Sequence, residues 1–599
     1  MSRLRQRPRE YQVEAAEWAL SEERGVVVLP TGTGKTLVAV IWALELMEDG
    51  RARRVLFLEP TRFLVEQVAG YIRRVAGLEA EAVHGAVSRA ERRRRWSARV
   101  VVATPEIVLA DWGAFGEFDA VVVDECHHTT GKDAYREVMT RLGGVRYRLG
   151  LSAYIPPSRR REIEETIGPI RVWSWSDPRI APYIPPLIGE VYEAVLNSDE
   201  RRLYEALEEL STRVPGRLRV AVRSAQRWLV RDGALALKDS MSRRTMLAGL
   251  LRELRGLIEA PGVRPSHKAE AFLRVLADHE GFTKAIVFID RVVVAEYACG
   301  LARSAGYGCV LIRGRMGRAG LREALERARR EDTRVVVSTS AGEEGVDLPE
   351  ADLLVMWSIT ASPLRFIQRH GRVLRARGPG GGPPKFVAYI VTLDTIDVDS
   401  FVDAMEAAER IGIDMPVSRE VVERLWRRTT RSRLLSLLEG NPMPLELLAE
   451  AASMPLERLR RDLQRLMRHG DVVYIYTGIG RVYAYRGDIE LLEERFAEYL
   501  DPVDNVEAKV KCLPLGSREW CRAVSGTYSS VKPRLLRMLG RLGGFERIHV
   551  SMTLLLGSVA RLVNIVYTFR VDDEDVLDLV LRNAYAVPRI VAELGGLPL

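Results

Sequence analysis

Cysteine, lysine and long apolar runs are what this chain has least of. Five of its 599 residues are cysteine: Cys126, Cys299, Cys309, Cys512 and Cys521. None belongs to a Cys-x-x-Cys pair, which excludes the usual zinc-site spacing. Scattered single thiols fit a reducing compartment. No stretch of about 18 residues is both apolar and uncharged, so no membrane-spanning helix is expected. The start, Met1-Ser2-Arg3-Leu4-Arg5, is basic but leads into no apolar signal core, and the expected location is the cytoplasm. Lysine supplies only nine of the 89 basic residues, so arginine carries nearly all the positive charge. The net charge is +8 and the isoelectric point about 9.2, a balance that favours a polyanionic partner. Arginine suits phosphate forks and ion-pair networks. A thermophilic or GC-rich origin would produce the same bias.

At roughly 150 residues per domain, the length suggests about four domains. Short apolar runs at Gly25–Leu29, Val55–Leu58, Val100–Ala103, Ala120–Val123 and Tyr147–Leu151 alternate with helical patterns such as Thr36–Met47 and Phe63–Val75. That alternation predicts a parallel sheet covered by helices. It returns at Ala285–Phe288, Cys309–Ile312, Val335–Ser338, Leu353–Met356 and Phe386–Val391, which predicts a second α/β lobe. The charged, strand-free stretch Ser198–Ile258 between them reads as a helical arm. Farther on, Arg431–Leu438, Pro444–Ala452 and Pro455–Arg468 read as three helices, and Asp471–Tyr476 with Arg481–Tyr485 as a hairpin turned at Gly478–Gly480. Three helices and a hairpin make a winged-helix pattern. The expected divisions are a first lobe over 1–190, an arm over 191–262, a second lobe over 263–400, a winged helix over 401–490 and an α+β region over 491–599.

Three segments carry chemistry. In Leu29-Pro30-Thr31-Gly32-Thr33-Gly34-Lys35-Thr36 a strand precedes and a helix follows. Gly32 and Gly34 let backbone amides approach phosphate oxygens, Lys35 reaches the β- and γ-phosphates, and the Thr36 hydroxyl suits Mg²⁺. Thr31 and Thr33 complete the loop. In Val121-Val122-Val123-Asp124-Glu125-Cys126-His127 a buried strand delivers two carboxylates to its C-terminal end, where ligands of open α/β sheets bind. Asp124 is placed to hold the metal ion and Glu125 to orient the attacking water. His127 and His128 are adjacent, which is not metal-ligand spacing, so a coupling or structural role falls to His127. In Gln368-Arg369-His370-Gly371-Arg372-Val373-Leu374-Arg375, Arg372 and Arg375 share a helix face and can stabilise charge on a transferring phosphoryl group.

In this order the three segments resemble those of superfamily 2 helicases with a DECH box, over roughly residues 5–395. The resemblance implies two RecA-like P-loop lobes, ATP and Mg²⁺ as cofactors, and a nucleic-acid partner. It makes Gln12, in Arg9-Glu10-Tyr11-Gln12, an adenine reader. Pro60-Thr61-Arg62 and Thr104-Pro105-Glu106 look like motifs that grip strand phosphates. Ser338-Thr339-Ser340 through Gly345-Val346-Asp347 looks like motif V, with Thr339 on the strand and Gly345 and Asp347 near the nucleotide. Gln368 joins the catalytic set. Val83–Ser88, Arg92–Trp96 and Asp124–His128 are similar to the group of Hef, FANCM, RIG-I-like receptors and Dicer, whereas Gln368–Arg375 is equally similar to XPB-type helicases. Ser152-Ala153-Tyr154 departs from the usual Ser-Ala-Thr, and no nuclease signature follows.

The reading is a nucleic-acid-dependent ATPase and translocase, acting on DNA in the 3′–5′ sense as a monomer, with forked substrates in view. Its rivals are a double-stranded RNA translocase and an ATP-gated clamp that does not unwind. The intact set of Lys35, Asp124, Glu125, Arg372 and Arg375 argues against an idle scaffold. The third winged-helix helix offers Arg461 and Arg465 as strand contacts, or is a bracing module with a solvated face. The run Arg92–Arg95 is a solvated face or a strand contact.

Overall fold

The computed structural model describes residues 4–130, 133–243, 245–314, 316–339, 348–359, 365, 369–371, 382–410, 416–556 and 559–593. The chain forms two compact units, Met1–Arg424 and Leu425–Leu599.

The first unit holds two parallel sheets. In one, β1 (Arg24–Val28), β2 (Val55–Leu58), β3 (Ala80–Val83), β4 (Val100–Ala103), β5 (Ala120–Val123), β6 (Tyr147–Ser152) and β7 (Ile170–Val172) lie in the order β3-β4-β2-β5-β6-β1-β7. Every pairing is parallel. Strands β2, β4 and β5 are buried throughout, as a sheet covered on both faces requires. Alternate residues feed opposite cores: Val55 and Phe57 join one cluster, Leu56 and Leu58 the other. The sequence reading missed β3 and β7, because Ala-Glu-Ala-Val is weakly apolar and Ile-Arg-Val is very short.

The second sheet contains β8 (Leu187–Ala194), β9 (Ala285–Phe288), β10 (Cys309–Ile312), β11 (Val335–Ser338), β12 (Leu353–Met356) and β13 (Lys385–Thr392), in the order β10-β11-β9-β12-β13-β8. The expected lobe boundary at 190 runs through β8, which pairs with β13 over all eight residues. The half-exposed edge strand β8 shows no apolar run, and its place in the second sheet was therefore hidden. The arm is helical, from Ser198–Arg213 to Arg255–Ile258, around its own core of Leu203, Leu207, Val222 and Leu229. Helix Ile396–Arg410 spans the expected boundary at 400, and the unit itself runs on to Arg424. Among the described residues no helix is long and apolar enough to cross a membrane.

The expectation of five separate thiols is corrected. Cys299, in helix Val292–Ser304, and Cys309, at the start of β10, form a disulfide with their Cα atoms 5.7 Å apart. The short return from helix to strand brings together two residues only ten apart in sequence.

In the second unit, helices Ser432–Leu438, Leu445–Ala451 and Leu456–His469 are joined by β14 (Met443–Pro444), β15 (Val472–Thr477) and β16 (Gly480–Tyr485), in the antiparallel order β14-β16-β15. Gly480, at φ +106°, makes the hairpin turn. An antiparallel sheet follows, of β17 (Ala508–Pro514), β18 (Val524–Gly526), β19 (Phe545–Leu556) and β20 (Val559–Tyr567), with helices Tyr528–Leu542 and Glu574–Glu593. The two parts pack as one body across the expected boundary at 490. The buried Asn583 side chain accepts from Tyr476 N–H at 2.8 Å and Tyr567 O–H at 2.6 Å, and donates to Tyr476 and Tyr499 carbonyls.

Candidate active site

The loop after β1 is shaped by two glycines in left-handed backbone, Gly32 at φ +81° and Gly34 at φ +83°, a region costly for residues with a Cβ. Thr33 is fixed between them. Its hydroxyl donates to the Pro30 carbonyl at 2.6 Å, and its own carbonyl accepts from Tyr11 O–H and the Gln12 amide, both at 2.8 Å. Gln12 also accepts from Arg9 N–H. This bracing role was not legible in the sequence, where Gln12 reads only as a base reader. A Cβ on Gly34 would lie 2.6 Å from the Gln12 amide nitrogen. Lys35 opens helix Lys35–Glu48, whose N-terminal amides face the loop and favour anions. Its ammonium donates to the Leu29 carbonyl at 3.4 Å, one of the three hydrogens an ammonium carries, which leaves donors for phosphate. Thr36 follows, half-buried, and the Thr31 hydroxyl is buried with no hydrogen-bond partner among the described residues. This cradle fits the phosphates of a nucleotide.

Strands β5, β6 and β1 are neighbours, so their C-terminal ends bring the acidic pair and Ser152 beside the loop. Burial, reinforced by Glu125, raises the Asp124 carboxyl to about 6, against the pull of Lys35. Glu125 sits at φ +48°, a strained conformation for a residue with a long side chain. Its N–H donates to Asp124 Oδ1 at 3.0 Å. His127 Nδ1 lies 3.4 Å from Glu125 Oε2 and 3.2 Å from Ser152 Oγ. Ser152 in turn donates to the Tyr154 carbonyl. A third acid, Glu59, was not anticipated. Burial, then the charges of Asp124 and Glu125, push its carboxyl well above the usual carboxylate range. Only its position directly after β2 could have signalled it.

Strands β2 and β4 end at the same edge. Thr61 caps helix Arg62–Ala76 by accepting from Leu64 N–H, and Arg62 is exposed. Thr104 precedes helix Pro105–Ala110 and is buried, as is Thr339 after β11. Arg92 is bound bidentate to Asp111, while Arg94 and Arg95 pair with Glu91. The run Arg92–Arg95 is thus largely an ion-paired face. Gly345, Asp347, Gln368, Arg372 and Arg375 lie outside the described residues.

Beside those arginines, Arg369 is described and fully buried. Its guanidinium donates to Asp290 at 2.6 Å and lies over Phe288. Asp290, just past β9, also takes Arg365 and Arg231 of the arm, both at 2.9 Å. Burial alone would raise its carboxyl, but Arg369, Arg231 and Arg365 hold it at about 2. Asp290 and Arg231 were missed, since neither lies in a motif. In the second unit, Arg465 lies over Trp426 and is half-buried, and Arg461 is half-buried on the same helix. The exposed stripe of that helix is instead Arg460, Gln464 and Arg468.

The DEAD/DEAH box helicase family model matches residues 9–163, and the helicase conserved C-terminal domain matches 267–377. The DNA 3′-5′ translocase XPB2 of Sulfurisphaera tokodaii is 26% identical, over 62% of this chain and 79% of its own length. The DEAD-box ATP-dependent RNA helicase FANCM of Arabidopsis thaliana is 24% identical, over 61% of this chain and 34% of its own. The match thus spans most of one relative and about a third of the other. The Hef helicase domain of Pyrococcus furiosus superposes with a TM-score of 0.47 at 24% identity, over 66% of this chain and 97% of that one. The chain thus carries the DEAD/DEAH box helicase domain and the helicase conserved C-terminal domain in order, on two parallel-sheet lobes, the pair of domains of ATP-hydrolysing helicases.

Proposed function

We propose that this helicase moves along one strand of DNA in the 3′–5′ sense, as a monomer, driven by ATP hydrolysis. One arrangement supports this most: the nucleotide loop, the acidic pair and Thr61, Arg62 and Thr104 all follow strands that end at one edge of one sheet. A change at the nucleotide has two strands to cross to reach Thr61 and Arg62 and three to reach Thr104. Lys35 and the loop amides bind the phosphates, and Glu125 orients and takes a proton from the attacking water. Arg372 and Arg375 stabilise the charge that develops. Mg²⁺, when bound, neutralises phosphate charge, and Thr36 and Asp124 are the residues to hold it. Movement requires that the nucleotide state change the affinity of one lobe for the strand.

The test is displacement of streptavidin from biotinylated single-stranded DNA. Faster release from the 5′ end than from the 3′ end, dependent on ATP, is expected; equal release from both ends refutes directed movement. Tyr154, in the place of the usual threonine, favours a second reading, an ATP-gated clamp. Under that reading a fork would be bound and ATP turned over with no strand displaced.

A further inference from the structure

The second unit contains a cleft of about 890 Å³ between the winged helix and the C-terminal sheet. One wall is helix Leu456–His469, which presents Arg460, Gln464 and Arg468. Arg481 and Ile479 of the hairpin form the rim, and Arg547 of β19 stands on the other side. Five arginines line the cleft against two glutamates, Glu446 and Glu546. Elsewhere in this unit arginines are neutralised, as in Arg431–Asp471, Arg458–Asp462, Arg486–Asp572 and Arg582–Glu493. Among the described residues, Arg460, Arg468, Arg481 and Arg547 have no carboxylate within ion-pair reach. Converging like charges repel one another, so a site that keeps four of them unneutralised is built for an anion. Arginine forks match phosphodiester oxygens.

Stacking surfaces flank the charges. Arg547 lies 5.9 Å from the ring centre of Trp520, which is 41% exposed, and Ile479 at the hairpin tip is 70% exposed. Arginine beside an aromatic platform, as Arg547 is beside Trp520, is the combination that holds an unpaired base and its phosphate. A winged helix reads duplex DNA by laying this helix into a major groove about 12 Å wide. Here the exposed stripe of the helix lines a cleft shared with the C-terminal sheet instead of standing on an open convex surface, an arrangement that suits a single strand better than a duplex.

We infer that this cleft binds a single strand of DNA, with Arg460 and Arg547 gripping its phosphates from opposite walls. This gives the C-terminal α+β region a task, and it deepens the strand-translocation reading on which it rests. The test is fluorescence anisotropy of the full chain with a labelled dT oligomer, an oligo-U of equal length and a blunt duplex, across a salt series. The protein is compared with the double variant Arg460→Ala/Arg547→Ala. Both side chains are exposed, and unchanged thermal unfolding certifies the variant's fold. The variant should bind dT about tenfold more weakly. Its salt slope should fall by about 1.4, for two lost contacts to a single strand. Oligo-U should follow dT if the cleft reads only phosphate and base, and lag if it selects the sugar. Unchanged dT affinity and slope in the variant would overturn the assignment, as would a loss confined to duplex. ATPase activity measured alongside separates the two readings. If dT still stimulates the variant and its affinity is unchanged, the cleft assignment alone is wrong. If no nucleic acid stimulates the unaltered protein, the motor itself is wrong.

Discussion

His127 Nδ1 stands 3.2 Å from Ser152 Oγ. The contact joins the segment carrying the acidic pair to the end of β6, the segment we propose couples hydrolysis to movement. Ser152→Ala removes it without touching the phosphate loop. One neutral hydrogen bond contributes about 1 kcal/mol to stability, so the variant should fold. Its ATP turnover should stay within a few-fold of the original while fork unwinding falls at least tenfold. Parallel decline of both rates would show that the contact serves hydrolysis itself.

Glu125 holds a strained backbone beside Asp124. Glu125→Gln keeps the shape and removes the proposed base. Loss of a positioned general base costs roughly 10²–10⁴ in rate. Single-turnover hydrolysis should therefore fall into that range with ATP still bound, as a fluorescent analogue would report.

Gly34 is confined twice over, by its φ of +83° and by the Gln12 amide 2.6 Å from where a Cβ would sit. Gly34→Ala should abolish nucleotide binding in calorimetry. Gly50, also at positive φ, has open space around it, and Gly50→Ala should leave binding intact.

Asp290 gathers Arg231, Arg365 and Arg369. Removing one partner of a buried charge group costs about 3–5 kcal/mol. Asp290→Ala should lower the melting temperature by several degrees. It should also slow ATP turnover, because Arg369 lies three residues before Arg372 on the same motif. Asp290→Glu should recover part of both losses.

His267 links stability to pH. It is buried with Nε2 2.8 Å from Thr392 Oγ1, and burial, then Lys268 and Arg264, push it down to about 3. The unfolded chain, with an ordinary value near 6.5, binds a proton that the folded chain refuses. Its contribution is full above about pH 6.5 and is lost as the pH falls, by about 1.4 kcal/mol per pH unit. Urea midpoints at pH 7.5 and 5 should differ by less in His267→Gln.

The nucleotide loop and acidic pair were legible because their chemistry demands fixed residues at fixed spacing on strand ends. The central strands were legible because burial on both faces forces apolar runs such as Val121-Val122-Val123. Edge strands escaped that logic: β8 is half exposed, and only its pairing with β13 reveals its lobe. Long-range partnerships escaped too. Glu59, Asp290 and the Gln12 brace depend on which strands lie side by side, and no spacing encodes that. The three helices and the hairpin of the second unit were visible in their periodicity. The outward face of the third helix was not, since which arginines point out depends on where Trp426 and the C-terminal sheet pack.

The most direct test of an ATP-driven motor on DNA is the steady-state ATPase rate of the unaltered protein alone and with single-stranded DNA, forked DNA and double-stranded RNA. Stimulation of tenfold or more by the DNAs, with little response to the RNA, is the predicted result. A rate that no nucleic acid changes would contradict the motor, and stimulation by double-stranded RNA alone would contradict its assignment to DNA.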